Sequence, residues 1–298
     1  MISRAVKFTS PLCVVVFITI RWLDLIELFQ AIEWVAVLPW IFGALITFPL
    51  LYFVKFFRFY LILSESKIYL SSFMRLYLQT TLVNIIVPFK LGEIFRFYLV
   101  GKRLANYKIS FLSIITERFL DTCVIVFIML ISIFFIQQPI TGSFLFFLFF
   151  IFLAFSIYAL YPSFSLLMNK IIVFKRARTY DEIFLKFLDI LDNWYSYENS
   201  LVHKKGGIVF FCSAIAWFIE FFFLYSLAKL LSISFDLSFF NNYISDIFAA
   251  TPSLPKYFFD LYAVTSIIVL GGAYVLAIMI KILLRSKATN EQADLRSI

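Results

Sequence analysis

Residues 68–96 read IYLSSFMRLYLQTTLVNIIVPFKLGEIFR, and how this stretch meets a bilayer decides the fold of the chain. Its first part, Ile68 to Val87, is apolar enough to enter hydrocarbon, yet it carries Arg75 and is closed by Pro88. If it crossed, every later loop would change sides. Membrane proteins concentrate Lys and Arg in their cytoplasmic loops, so the distribution of these residues tests the two arrangements. With a dipping segment and an inside N-terminus, 23 of the 26 Lys and Arg lie inside, leaving Arg21, Lys229 and Lys256 outside. A crossing segment would instead put the basic 90–108 and 170–205 loops on opposite faces. The segment is therefore read as re-entrant.

Composition supplies the membrane that this reading assumes. The 298 residues are 63% hydrophobic, 21% aromatic and 15% charged, with 41 Phe. Soluble domains are about half apolar and about a quarter charged, so a cytosolic globule and a disordered chain are excluded. The net charge of +8 follows from loop topology and does not signal a nucleic-acid partner. Cys13, Cys123 and Cys212 lie inside apolar runs and His203 is the single histidine, which offers neither a disulfide framework nor a metal-ligand set. No cofactor is implied.

A span needs about 20 mostly apolar residues. Six stretches qualify, at about 5–22, 34–61, 109–136, 143–161, 207–231 and 261–284. No A-x-A-like cleavage site follows the first, so it reads as a retained span. A second broken stretch, Phe239 to Phe259, contains Asn241, Asn242, Asp246, Pro252 and Pro255 and is read as a dip from the other face. Each half then runs span, span, dip, span, the layout of an inverted-topology repeat. The expected fold is one all-α polytopic membrane domain, residues 1–298, with six transmembrane helices and two re-entrant or broken segments. Between the halves, residues 170–205 place Phe184, Phe187, Leu188, Leu191 and Trp194 at helical spacing. They read as an amphipathic helix on the cytoplasmic interface, with the basic Lys175-Arg176-Ala177-Arg178 at its start. The Phe runs at 145–155 and 221–223 read as lipid-facing.

Charges inside apolar runs cost roughly 2.5 to 3.5 kcal/mol each at mid-bilayer and therefore face the protein interior and pair. They gather at Asn84, Pro88, Gly92, Glu93 and Arg96, then at Glu117, Arg118 and Asp121 early in the third span. Pro88 has no N–H for the carbonyl of Asn84, which marks a helix break. Gly92 permits a close backbone approach. Glu93 and Arg96 are neighbours on a helical face, as are Glu117 and Asp121, whereas Arg118 points away and needs a partner such as Glu93. The two carboxylates of the third span need an Arg between them, and Arg96 is the candidate. The five ionisable groups sum to −1, and Arg75 would bring them to neutrality. Glu220, mid-span between Trp217 and Tyr225, is a secondary candidate. Lys90, Lys102, Arg103 and Lys108 read as snorkelling anchors.

This pattern, Asn84-x-x-x-Pro88-x-x-x-Gly92-Glu93-x-x-Arg96 followed by Glu117-Arg118-x-x-Asp121, resembles the lysylphosphatidylglycerol synthase transmembrane-region family, which includes the flippase domain of the multiple peptide resistance factor. The resemblance implies a bacterial cytoplasmic (inner) membrane protein, with N- and C-termini cytoplasmic, that handles a phospholipid or lipid-linked glycan by flippase-like translocation. Two features depart from the family: residues 250–257 keep the prolines of a second dip without its Gly-Glu pair, and no aminoacyl-transferase domain follows the last span. Arg96 and Arg118 would bind phosphate, and the carboxylates would hold them or bind a cationic headgroup. The alternative is a non-transporting membrane subunit that supports a separate glycosyltransferase or lipid-modifying enzyme. A membrane-embedded enzyme has the paired carboxylates but no nucleophile, metal set or phosphate loop to accompany them, so the chain is not read as an enzyme.

Overall fold

The computed structural model describes residues 2–31, 34–66, 68–86, 91–174, 179–246 and 254–296. Among the described residues the chain is all-helical. Its helices are α1 (Ile2–Ala31), α2 (Trp34–Leu63), α3 (Leu70–Ile86), α4 (Leu91–Leu104), α5 (Tyr107–Ile136), α6 (Gly142–Phe174), α7 (Thr179–Leu230), α8 (Leu237–Asp246) and α9 (Lys256–Arg296). Helices satisfy every backbone polar group internally, as hydrocarbon demands. Five are long and apolar enough to cross a bilayer, over Val37–Leu63, Tyr107–Phe135, Gly142–Ile171, Leu185–Leu230 and Tyr257–Ile280. The remaining expected span, 5–22, falls in α1, whose first side chains lie outside the described residues.

Helices α2 and α7 run antiparallel. Along their seam Trp40 meets Tyr225 with ring centroids 5.4 Å apart, Phe48 meets Phe223 at 5.0 Å, and Arg58 reaches Ser213. Small residues bring the backbones together, and a Cβ on Gly43 would lie 3.0 Å from Ser226 Oγ. Such packing holds helices in lipid, where the solvent is as apolar as the side chains. Helix α6 is antiparallel to α7 through the Tyr158 and Tyr161 hydroxyls, which donate to Asn199 and Asp192 at 2.7 Å each. Helix α5 is parallel to α7, with Phe111 against Trp194 and Thr116 donating to Glu198. These directions are the alternation that the charge partition requires.

The decisive stretch forms an antiparallel hairpin of α3 and α4. At its closed end Asn84 Nδ2 donates to Glu93 Oε1 at 3.0 Å, and at its open end Arg103 Nη2 donates to Ser72 Oγ at 3.0 Å. The arms have 17 and 14 residues. At 1.5 Å per residue both fall short of a core of about 30 Å. The segment thus enters and returns, with its open ends on one face. Pro88, the expected break, lies outside the described residues. Gly92 begins the second arm, and a Cβ there would sit 2.2 Å from Asn84 Cα. Ala105, at φ 52°, then reverses the chain, and Asn106 caps α5 by accepting from the Ile109 N–H at 3.2 Å.

In the second half, Asp236 opens α8 by accepting from the Phe239 N–H at 2.7 Å and from the Ser238 hydroxyl. These bonds hold its carboxyl below the usual range. Helix α8 packs on α9 through Phe239 and Phe258, 5.1 Å apart, and Asp246 accepts from the Leu254 N–H at 2.7 Å. Pro252 of this expected dip lies outside the described residues.

Two expectations change. The amphipathic stretch is not a separate interfacial helix: from Thr179 it is continuous with the following span as one helix of 52 residues. Leu188 is buried and Trp194 packs on Phe111, so its apolar face is spent on α5 and α6 in addition to any interface. Residues 175–178, its basic start, lie outside the described residues. Among the Phe runs, Phe146, Phe149, Phe152 and Phe155 are exposed as expected, but Phe147 and Phe223 are buried. Phe223 fills the α2–α7 seam, where lipid cannot reach.

The hairpin's dependence on a missing side chain is testable. Gly92→Ala forces a Cβ against backbone and is expected to cost about 1–3 kcal/mol of unfolding free energy in detergent. Gly142→Ala, which meets nothing within 4 Å, serves as the comparison and is expected to leave stability unchanged.

Candidate functional site

The hairpin delivers Glu93 and Arg96 against α5, because α4 and α5 pack antiparallel with Ser110 Oγ donating to Phe97 O at 2.9 Å. Arg96 is buried, its guanidinium carbon 3.7 Å from the Phe59 ring centroid, with Nη2 2.8 Å from Glu117 Oε2. That separation favours Coulomb attraction, yet the atoms are not aligned for a hydrogen bond, and neither makes one elsewhere. Arg118 is the most accessible of the group, with 37% of its side chain exposed, and lies 3.3 Å from Glu93, 3.6 Å from Glu117 and 3.6 Å from Asp121. Its expected pairing with Glu93 is present.

The Arg between Glu117 and Asp121 is a different residue. Arg58, on α2 and 0% exposed, donates through Nη2 to Glu117 Oε1 at 2.6 Å, through Nη1 to Asp121 Oδ1, and through Nη1 to Ser213 Oγ at 2.8 Å. Trp217 Nε1 donates to Asp121 Oδ1 at 3.3 Å. A planar guanidinium fork can serve two carboxylates at once, which an ammonium cannot. Arg96 reaches Glu117 but is not paired with Asp121. The charge count also changes: Arg58, Arg96 and Arg118 balance Glu93, Glu117 and Asp121. Arg75, expected to supply the missing charge, sits half-buried on α3 and does not line the hollow that the cluster encloses.

That hollow has a volume of about 340 Å³ and runs from the arginine cluster towards Glu220. There Lys55 Nζ lies 2.7 Å from Glu220 Oε2, while the Tyr243 and Tyr262 hydroxyls donate to Glu220 Oε1 at 3.2 Å and 3.4 Å. Glu220, a secondary candidate, therefore belongs to the same hollow as Asn84, Glu93, Arg96, Glu117, Arg118 and Asp121. Its lining charges are four positive and four negative, with Lys55 and Glu220 adding one of each. Several buried polar atoms of the residues around it have no hydrogen-bond partner, among them Arg58 Nε, Arg96 Nε, Arg118 Nε, Glu93 Oε2 and Asn84 Oδ1. Their gathering on the residues that line one hollow makes it the polar centre of an otherwise apolar bundle. A second cavity of about 530 Å³, between α5, α6 and α7, is lined mostly by apolar side chains and has no comparable charge cluster.

Lys55 and Arg58 were missed because they stand near the end of a span and entered the topological tally as cytoplasmic charge. Their spacing was the available signal. Three residues apart, they share a face of an otherwise apolar run, the same argument that singled out Glu117 and Asp121.

Removing Arg58 leaves two buried carboxylates with one cation fewer. Arg58→Gln is expected to lose about 3–5 kcal/mol of unfolding free energy. Arg118→Gln should lose less, and Arg58→Lys should restore little. Thermal or chemical unfolding of the detergent-solubilised variants measures this order.

Residues 5–258 match the family model described as lysylphosphatidylglycerol synthase TM region. With the apolar helices, that match makes this an integral membrane protein concerned with lipid modification or translocation. No curated protein and no solved structure matches the chain.

Proposed function

The chain belongs to the lysylphosphatidylglycerol synthase TM region family, and from that premise we propose that it takes the polar headgroup of a phospholipid or lipid-linked glycan into the charged hollow and carries it across the bilayer. The observation that carries this reading is the neutral, partly unsatisfied ring of three Arg and three carboxylates around a space of about 340 Å³ inside an apolar bundle. Ion pairs that only stapled helices together would all close on one another. Arg118 does not: it is 37% exposed and lies 3.3 to 3.6 Å from Glu93, Glu117 and Asp121, which leaves its guanidinium open to a guest. The volume lies at the small end of ligand pockets, about 300–1,000 Å³, and suits a headgroup whose tails stay in lipid.

Arg118, partly open, meets an incoming phosphate first; Arg96, held by Glu117 and Phe59, receives it more deeply. Arg58 does not bind the guest. It fixes Glu117 and Asp121, so that Arg96 and Arg118 keep their positions when the headgroup leaves. Each half of the chain supplies part of the lining, α2 to α5 on one side and α6 to α9 on the other, so rocking of one against the other would open the hollow to alternate faces. The role is binding and movement, with no bond made or broken.

Purified protein in liposomes containing a fluorescent phospholipid or a lipid-linked sugar tests this. Transbilayer movement is expected with wild type and is expected to fall at least about tenfold, equivalent to ~1.4 kcal/mol, in folded Glu117→Gln and Arg118→Gln. Equal movement with and without protein refutes translocation. Co-purification with a glycosyltransferase at fixed stoichiometry, without movement, would instead favour a supporting subunit.

A further inference from the structure

At the far end of the hollow the chain places its own ammonium group beside a buried carboxylate and two aromatic rings. Lys55 Nζ sits 2.7 Å from Glu220 Oε2, 5.3 Å from the Tyr52 ring centroid and 6.0 Å from the Trp217 ring centroid. A carboxylate with aromatic faces around it is the arrangement that holds amine and quaternary ammonium ligands. Tyr243 and Tyr262 satisfy the other oxygen of Glu220, so the carboxylate has its place fixed. Glu220 is 3% exposed, whereas the Lys55 side chain is 20% exposed and reaches the site from α2 on a flexible stem. The arginine end differs. There guanidinium nitrogens of Arg58, Arg96 and Arg118 and oxygens of Asn84, Glu93 and Glu117 are without hydrogen bonds, and the most exposed of the charged side chains is a cation, Arg118.

We propose that Lys55 is a tethered occupant of this ammonium site and sets the charge class of the ligand: the hollow receives anionic or hydroxylated headgroups at its arginine end and refuses amine-bearing ones at its aromatic end. This deepens the reading of the hollow as a headgroup site, and rests on it only for the ligand being a lipid. The tether gives the internal ammonium a high local concentration, so a free amine has to displace a group that never leaves. Without Lys55, the acid and the aromatic rings remain and the vacancy favours a cation from outside.

Trp217, beside the site, reports occupancy through its fluorescence, and Trp217→Phe identifies its share of the signal. Purified full-length protein is titrated with tetramethylammonium chloride and, separately, with inorganic phosphate, with sodium chloride correcting for ionic strength. Wild type is expected to show no saturable Trp217 response to the amine, while Lys55→Met responds at least about tenfold more tightly. Lys55→Met combined with Glu220→Gln should lose that gain. Phosphate should perturb wild type at the arginine end and lose its effect in Arg118→Gln. A saturable amine response in wild type overturns the proposal even if no variant folds, as does equal amine affinity in wild type and Lys55→Met. None of these readouts requires lipid movement. A chain that moves no lipid but shows the gain keeps this inference, and one that moves lipid but binds amines as wild type loses it.

Discussion

A carboxylate in hydrocarbon is tolerated only beside a cation that is equally unable to leave, and Arg58 is that cation here. Its guanidinium bridges Glu117 and Asp121 across the α2–α5 contact and also engages Ser213 of α7, so three helices converge on one buried charge. Those bonds fix the face of α5 that Arg96 meets at Glu117 and from which Arg118 reaches Glu93, and through them the position of the α3–α4 hairpin. The apolar seam of α2 and α7 is ordinary membrane packing by comparison, replaceable residue by residue. A charge balance is not replaceable in this way, because each deletion strands a partner.

Much of this was legible in the residues. The hairpin could be read from basic-residue asymmetry, since a crossing would have separated two basic loops, and its closed end could be read from Asn84 and Gly92. Helical geometry turned Arg118 away from Glu117 and Asp121 and suggested Glu93 as its partner; the fold supplies that pair and also brings Arg118 to 3.6 Å from each of the other two carboxylates. Arg58 was not legible in the same way, because a cation near the end of a span is equally compatible with snorkelling to headgroups. Only packing distinguishes the two, and packing of α2 on α7 depends on residues more than 150 positions apart. The continuous α7 was hidden for a different reason: its polar first half and apolar second half differ in composition and meet at Gly206 and Gly207, which read as a break, yet both glycines remain helical.

The two broken stretches of the chain carry different chemistry. The first dip is a pair of helices whose closed end carries charge into the interior. In the second, α8 brings mainly aromatic side chains and Asn241, and its contribution to the hollow is the Tyr243 hydroxyl. The hollow is accordingly rich in arginine at one end and in aromatic rings at the other.

The unbroken length of α7 carries a mechanical consequence. Its 52 residues trace about 78 Å of contour at 1.5 Å per residue, where about 20 residues suffice to cross the hydrocarbon. The surplus at its start is gripped by Tyr161 and Ser165 through Asp192, while the same rod holds Glu220 at the heart of the bundle. The polar stem and the buried interior are thereby ends of one helix, with no loop between them.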